Sequence, residues 1–207
     1  MAFGEHWEWR GFGTLPRGLR QELESLPLKF PTAQEITDEY LWSPSSTVNI
    51  KLRLGDLKFK RLLESADGLE RWVEDPGENH PFPISPTVLS TLETGLGVSL
   101  TASSPLGREG LLALLRQAAP SVQTVRVRKV RWQREWPSVL PRGEEGVIVE
   151  LADVTSPERI FSVGLEHTSR ERLVEALGTL RLDLHLRRLS YVQAISIWAR
   201  GGKIGEQ

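Results

Sequence analysis

Polar and apolar residues alternate along short stretches of this chain, and the polar positions carry charge. His6-Trp7-Glu8-Trp9-Arg10 puts His6, Glu8 and Arg10 on one face of an extended strand and both tryptophans on the other. Alone, this pattern fits an edge strand with a solvated face. It recurs, however. Val48 to Leu54 places Asn49, Lys51 and Arg53 opposite Val48, Ile50, Leu52 and Leu54; Leu57-Lys58-Phe59-Lys60 repeats it; Val125-Arg126-Val127-Arg128 repeats it again, and Lys129, Arg131 and Arg134 continue the positive charge. Several strands with cations on one face and aliphatics on the other suggest a sheet curled around an anion.

Helices are predicted between the strands. Leu19, Leu23 and Leu26 recur at helical spacing within Thr14 to Leu26, with Pro16 near the start and Pro27 at the end. Glu35 to Trp42 reads as a strand, Gly55-Asp56 as a hairpin turn, and Glu70 to Glu74 as a short strand. Asp75 to Pro83 reads as loop. Ser85-Pro86 caps a helix that Gly95 closes, and Arg108 to Ala118 is amphipathic through Leu111, Leu112, Leu114 and Leu115. Ser121 to Arg134, Val147 to Val154 and Ile160 to Glu166 read as strands, with a turn at Gly143 to Gly146. Thr168 and Glu171 predict a capping box opening a helix to Leu180; Ser190 to Ala199 forms another, and Gly201 to Gln207 a frayed tail. Strand-rich halves joined by helices make α+β with an antiparallel sheet the expected class, in a single domain over residues 1 to 207.

Composition narrows the function. The chain has 26 Lys and Arg against 27 Asp and Glu, a net charge of −1, so the basic strands are a local feature with no general attraction for nucleic acid or anionic lipid. The absence of cysteine excludes disulfides, thiolate metal sites and thiol nucleophiles. No segment approaches the roughly 18 apolar residues of a membrane span and no secretory signal is evident, so a soluble, cytoplasmic protein is expected. His80, His167 and His185 lack metal-ligand spacing, and there is no nucleophile elbow, phosphate-binding Gly-x-x-x-x-Gly-Lys or dinucleotide fingerprint.

The order of elements resembles the CYTH superfamily, the triphosphate tunnel metalloenzymes. That family opens with Glu-x-Glu-x-Lys, here His6-x-Glu8-x-Arg10. An Asp-x-Tyr strand follows, matched by Asp38-Glu39-Tyr40, then Arg-x-Arg, matched by Lys51-x-Arg53, and a lysine for which Lys58 or Lys60 stands. Lys129-Val130-Arg131 matches Lys-x-Arg, and Val149 to Val154 an apolar strand with an acidic end. Gly164-x-Glu166 stands for a closing Glu-x-Glu, and Ser190-Tyr191 matches a pair near the family's C-terminus.

The resemblance implies an eight-stranded antiparallel β-barrel with flanking helices, enclosing a charged tunnel. Arg10, Lys51, Arg53, Lys60, Lys129 and Arg131 would bind phosphates, while Glu8, Glu150 and Glu166 would be catalytic and hold Mg²⁺ or Mn²⁺. Asp153 competes with Glu150, since the two lie on opposite faces of one strand; Asp38 is a further acidic candidate. His6 and Gly164 replace two family glutamates, thinning the carboxylate set, and Arg10 replaces a lysine. The implied function is metal-dependent hydrolysis of an inorganic or organic triphosphate; the alternative is a catalytically weak or inactive barrel that binds a phosphorylated small molecule or polyphosphate. Cyclase chemistry occurs in the same superfamily. An open α+β sheet, a lipocalin-like barrel and a single-stranded nucleic-acid platform are the competing readings.

Overall fold

The computed structural model describes residues 4–74, 79–102, 105–137 and 145–205. Its strands are β1 (Glu5–Gly13), β2 (Gln34–Trp42), β3 (Val48–Arg53), β4 (Asp56–Ala66), β5 (Leu69–Val73), β6 (Asn79–Pro81), β7 (Gln123–Trp136), β8 (Val147–Ser156), β9 (Ile160–His167) and β10 (Leu186–Arg188). The helices are α1 (Arg17–Ser25), α2 (Pro86–Leu96), α3 (Arg108–Ala118), α4 (Arg170–Leu180) and α5 (Tyr191–Ala199).

Eight strands run in the order β1-β5-β4-β3-β2-β7-β8-β9, and β9 pairs back onto β1, closing an antiparallel barrel. Short β10 extends β1 beyond the ring, and β6 pairs with β4. Closure removes the unpaired edges that an open sheet would present, and an eight-stranded ring leaves room only for side chains or one small ligand.

The outward faces are apolar and the helices cover them. Ile50, Leu52, Leu57 and Phe59 of β3 and β4 pack with Leu89, Leu92 and Leu96 of α2 and Leu111 and Leu115 of α3. Across the barrel, Trp9, Val149, Leu151, Val163 and Leu165 meet Leu23 of α1 and Leu173, Ala176 and Leu180 of α4. Each such leucine contributes roughly 1.5–3 kcal/mol by leaving water. With the strand backs so occupied, the charged faces of β1, β3, β4, β7, β8 and β9 point inward.

One end of the interior is plugged. Phe12, Tyr40, Trp42, Val125, Val127 and Val154 pack with Tyr191, Ala194, Ile195 and Trp198 of α5. Ser190 caps α5 with a full capping box through Gln193, which fixes where Tyr191 enters the barrel end.

Several local expectations are corrected. The hairpin turns on Leu54 and Gly55, both at positive φ, rather than on Gly55 and Asp56. Helix α2 runs past Gly95 and ends at Gly97, whose φ of 63° supplies the left-handed cap. The cap of α4 is Ser169, not Thr168: its hydroxyl accepts from the Arg172 amide and donates to Glu171. Asn79–Pro81, expected as loop, is strand. As far as Gly205 the tail is tied down, because the amides of Ile204 and Gly205 donate to Glu158, while Glu206 and Gln207 lie outside the described residues. Residues 75–78 of the expected loop, and Gly143 and Glu144 of the expected turn, lie outside the described residues. Among the described residues, no helix is long and apolar enough to cross a membrane.

Candidate functional site

The inward charges meet in one cavity of about 200 Å³. Strand β1 contributes His6, Glu8 and Arg10; β3 gives Asn49, Lys51 and Arg53; β4 gives Lys60; β5 gives Trp72; β7 gives Lys129, Arg131 and Gln133; β8 gives Glu150; β9 gives Glu166. Glu74 lines it just beyond β5, and Tyr191 of α5 forms part of its wall. All nine residues picked from the sequence as phosphate or metal contacts are therefore brought together.

Strand register explains how. Glu8 faces Glu166 on one side and Glu70 on the other, so three carboxylates share one row across β5, β1 and β9. Arg10 faces Gly164, which also faces Glu150 across β8 and β9. Asn49 faces Lys60 across β3 and β4. Directly opposed residues share a sheet face, so each pairing delivers both partners to the interior.

Of the two residues that competed on β8, Glu150 points inward and is 2 % exposed. Asp153 points outward and pairs with Arg20 of α1 at 3.5 Å, beside a larger surface groove of about 970 Å³. The barrel chemistry is elsewhere. Asp38 is fully buried behind the cavity and accepts both a Nε and an NH2 bond from Arg53. It acts as the anchor of that guanidinium, and its carboxyl is held below its usual range because Arg53 outweighs the cost of burial. Lys58 pairs across from Lys51 but is only half-buried. Trp7 and Trp9 lie on the outside as expected, whereas Trp198 belongs to the plug.

Arg10 is the hub. Its Nε donates to Glu8 Oε1 at 3.0 Å, NH1 donates to Glu150 Oε1 at 3.0 Å, and NH2 lies 3.6 Å from Glu166 Oε1. Lys60 takes the other oxygen of Glu8. Lys129 at 3.1 Å and Arg131 at 3.0 Å complete the shell around Glu150. Arg10 and Lys129 both sit over the Tyr191 ring, 4.7 and 4.5 Å from its centroid.

This arrangement sets the proton affinities. Burial would raise the Glu8 carboxyl, but Lys60 and Arg10 outweigh it and hold it at about 2. Glu150 is likewise driven well down by Lys129, Arg10 and Arg131 against burial. Glu166 goes the other way: burial and the Glu8 charge raise it. Burial and Glu8 also raise Glu70, to which Trp72 Nε1 donates at 3.0 Å. Lys51 is pushed down to about 8 by burial and by Arg53, with Glu74 at 3.8 Å giving partial relief.

The residues present do not match a bound divalent cation. Carboxylate oxygens are the right donors for Mg²⁺ or Mn²⁺, yet every oxygen of Glu8 and Glu150 is already met by an arginine or lysine. Among the described residues, no three His, Asp or Glu side chains are gathered as a metal-ion cluster.

Glu70, Glu74, Gln133 and Tyr191 also belong to the site or its rim and were not picked from the sequence as contacts. The alternation Glu70-x-Trp72-x-Glu74 carried the signal for the first two. Tyr191 was visible only as half of a Ser-Tyr pair.

The sequence matches no protein-family model and no curated protein. Solved structures do match in fold. HpAC1 from Hippeastrum, described as having a dominant triphosphatase activity, aligns over 96% of this chain and 97% of its own, at 14% identity and a TM-score of 0.53. A conserved hypothetical protein from Pyrococcus furiosus aligns over 84% and 90%, at 16% identity and a TM-score of 0.47.

Proposed function

We propose that this chain, whose fold is CYTH-like, binds the phosphate chain of a small triphosphate or polyphosphate inside its barrel. The observation that carries the reading is Lys51, a buried ammonium beside Arg53 whose proton is held so weakly that its pKa falls to about 8. A buried cation short of counter-charge is costly. A phosphate oxygen would supply that charge by charge-assisted hydrogen bonds. Arg53 and Arg131 line the same space with the N–H groups left over from their bonds to Asp38, Gln34 and Glu150, and Lys60 and Lys129 flank it. The Tyr191 hydroxyl supports the reading: it is buried and has no hydrogen-bond partner among the described residues, so a ligand oxygen would satisfy it.

Tripolyphosphate tests this by thermal stabilisation. A rise in melting temperature that is lost in Lys51→Met is expected; no shift with tripolyphosphate, ATP or pyrophosphate would contradict the reading.

A second reading, hydrolysis of the bound triphosphate, is favoured by Glu166. Its raised proton affinity beside ionised Glu8 and Glu150 makes it a carboxyl able to hold a proton for a leaving phosphate oxygen. HpAC1 is described as a triphosphatase, and the same activity is part of this proposal for the present chain. Phosphate release that falls sharply in Glu166→Gln is the expected result; release unchanged by that substitution would remove Glu166 from the chemistry.

A further inference from the structure

We infer that Arg10 occupies the place a divalent cation would need, so that a guanidinium is the barrel's resident cation and its carboxylates are closed to metal. The three carboxylates that the family resemblance implies as metal ligands, Glu8, Glu150 and Glu166, converge on this one side chain, and each guanidinium nitrogen faces a different one. A Mg²⁺ ion draws its oxygens to about 2.0–2.1 Å from a single point. A planar guanidinium instead holds its partners apart, each on a different edge at hydrogen-bond distance. For a metal to enter, it would have to displace Arg10 from both Glu8 and Glu150 and compete with Lys60, Lys129 and Arg131.

The space for Arg10 is built in. A Cβ at position 164 would lie 2.6 Å from NH2, 2.8 Å from Cζ and 3.0 Å from NH1 of Arg10, so only glycine lets the guanidinium lie there. Gly164 and Arg10 face each other in register. Tyr191 covers the guanidinium at 4.7 Å from its ring centroid. Arg10 is thus a positioning residue: surrounded by three carboxylates, it holds them and leaves Lys51, Arg53 and Arg131 to meet the anion. Only that last consequence rests on the phosphate-binding reading.

The test uses Mn²⁺ alone as the probe, titrated into the metal-stripped, folded full chain and followed by the electron paramagnetic resonance of free Mn²⁺. The wild type is expected to leave the free-ion signal undiminished. Arg10→Ala removes the resident cation and Gly164→Ala displaces it; each is expected to deplete the free-ion signal by about one Mn²⁺ per chain, and adding Glu166→Gln to Arg10→Ala is expected to abolish that depletion. Stoichiometric Mn²⁺ uptake by the wild type, lost in Glu8→Gln, would overturn the inference. So would folded Arg10→Ala and Gly164→Ala proteins that gain no affinity. Should Arg10→Ala fail to fold, the wild type and Gly164→Ala still decide. No phosphate is present, so the outcome is independent of whether the barrel binds a polyanion.

Discussion

Two glutamates that face each other across β1 and β9 carry opposite energetic signs. Glu8 has its pKa lowered, so its ion pairs stabilise the fold above its ordinary value of 4.5, and that contribution is lost as pH falls towards about 2. Glu8→Gln leaves Lys60 and Arg10 short of charge inside the barrel, and a loss of about 3–5 kcal/mol is expected in urea denaturation at pH 7. Glu166 has its pKa raised, so its charged form costs stability at neutral pH and the cost disappears below 4.5, where it is protonated in both states. Glu166→Gln should therefore leave stability unchanged or raise it at pH 7, with no gain at pH 4. If both substitutions destabilised equally at pH 7, the charge assignment around Arg10 would be wrong. Sequence alternation placed Glu8, Glu150 and Glu166 on strands, but it contained no information on which cation each would meet. Register decides that, and register between strands 140 residues apart, as for Arg10 and Glu150, is a property of the closed ring.

At the scale of elements, β1, β3, β7, β8 and β9 were legible because their apolar faces must be covered and their polar faces are charged. Legibility failed where local backbone chemistry, and not burial, sets the boundary. Thr168 and Ser169 are both capping residues, and only the hydrogen bond to the Arg172 amide chooses Ser169. Glu150 and Asp153 were equal on paper; pairing of Val149 with Leu165 and Leu151 with Val163 turns their side chains outward, which turns Glu150 in. The role of α5 was hidden for a different reason. Its apolar face reads as ordinary packing, yet it closes one barrel end and carries Tyr191 beneath Arg10 and Lys129. Ser190→Ala removes the capping box that fixes this entry, and a stability loss of about 1 kcal/mol is expected by thermal or urea denaturation. A neutral result would show that the plug is held by Tyr191, Ile195 and Trp198 alone.

For the whole molecule, a near-neutral chain concentrates buried charge in one cavity and makes it nearly self-sufficient. Arg10 with its carboxylates is closed on itself and Arg53 is tied to Asp38, whereas Lys51 on β3 carries the uncompensated part. pH therefore acts in two opposed ways. The buried Lys51 ammonium costs the empty barrel its full amount below pH 8, and the cost shrinks as pH rises from about 8 towards the ordinary 10.5. Anion binding, which uses the same charge, weakens over the first part of that range. The most direct measurement is calorimetric titration of tripolyphosphate into the wild type and Lys51→Met, in the presence of EDTA, at pH 7 and pH 9. The account predicts metal-free binding at pH 7 that is weakened at least severalfold in Lys51→Met, with the two proteins converging at pH 9. No binding by the wild type at pH 7, or binding that Lys51→Met leaves intact, would contradict it.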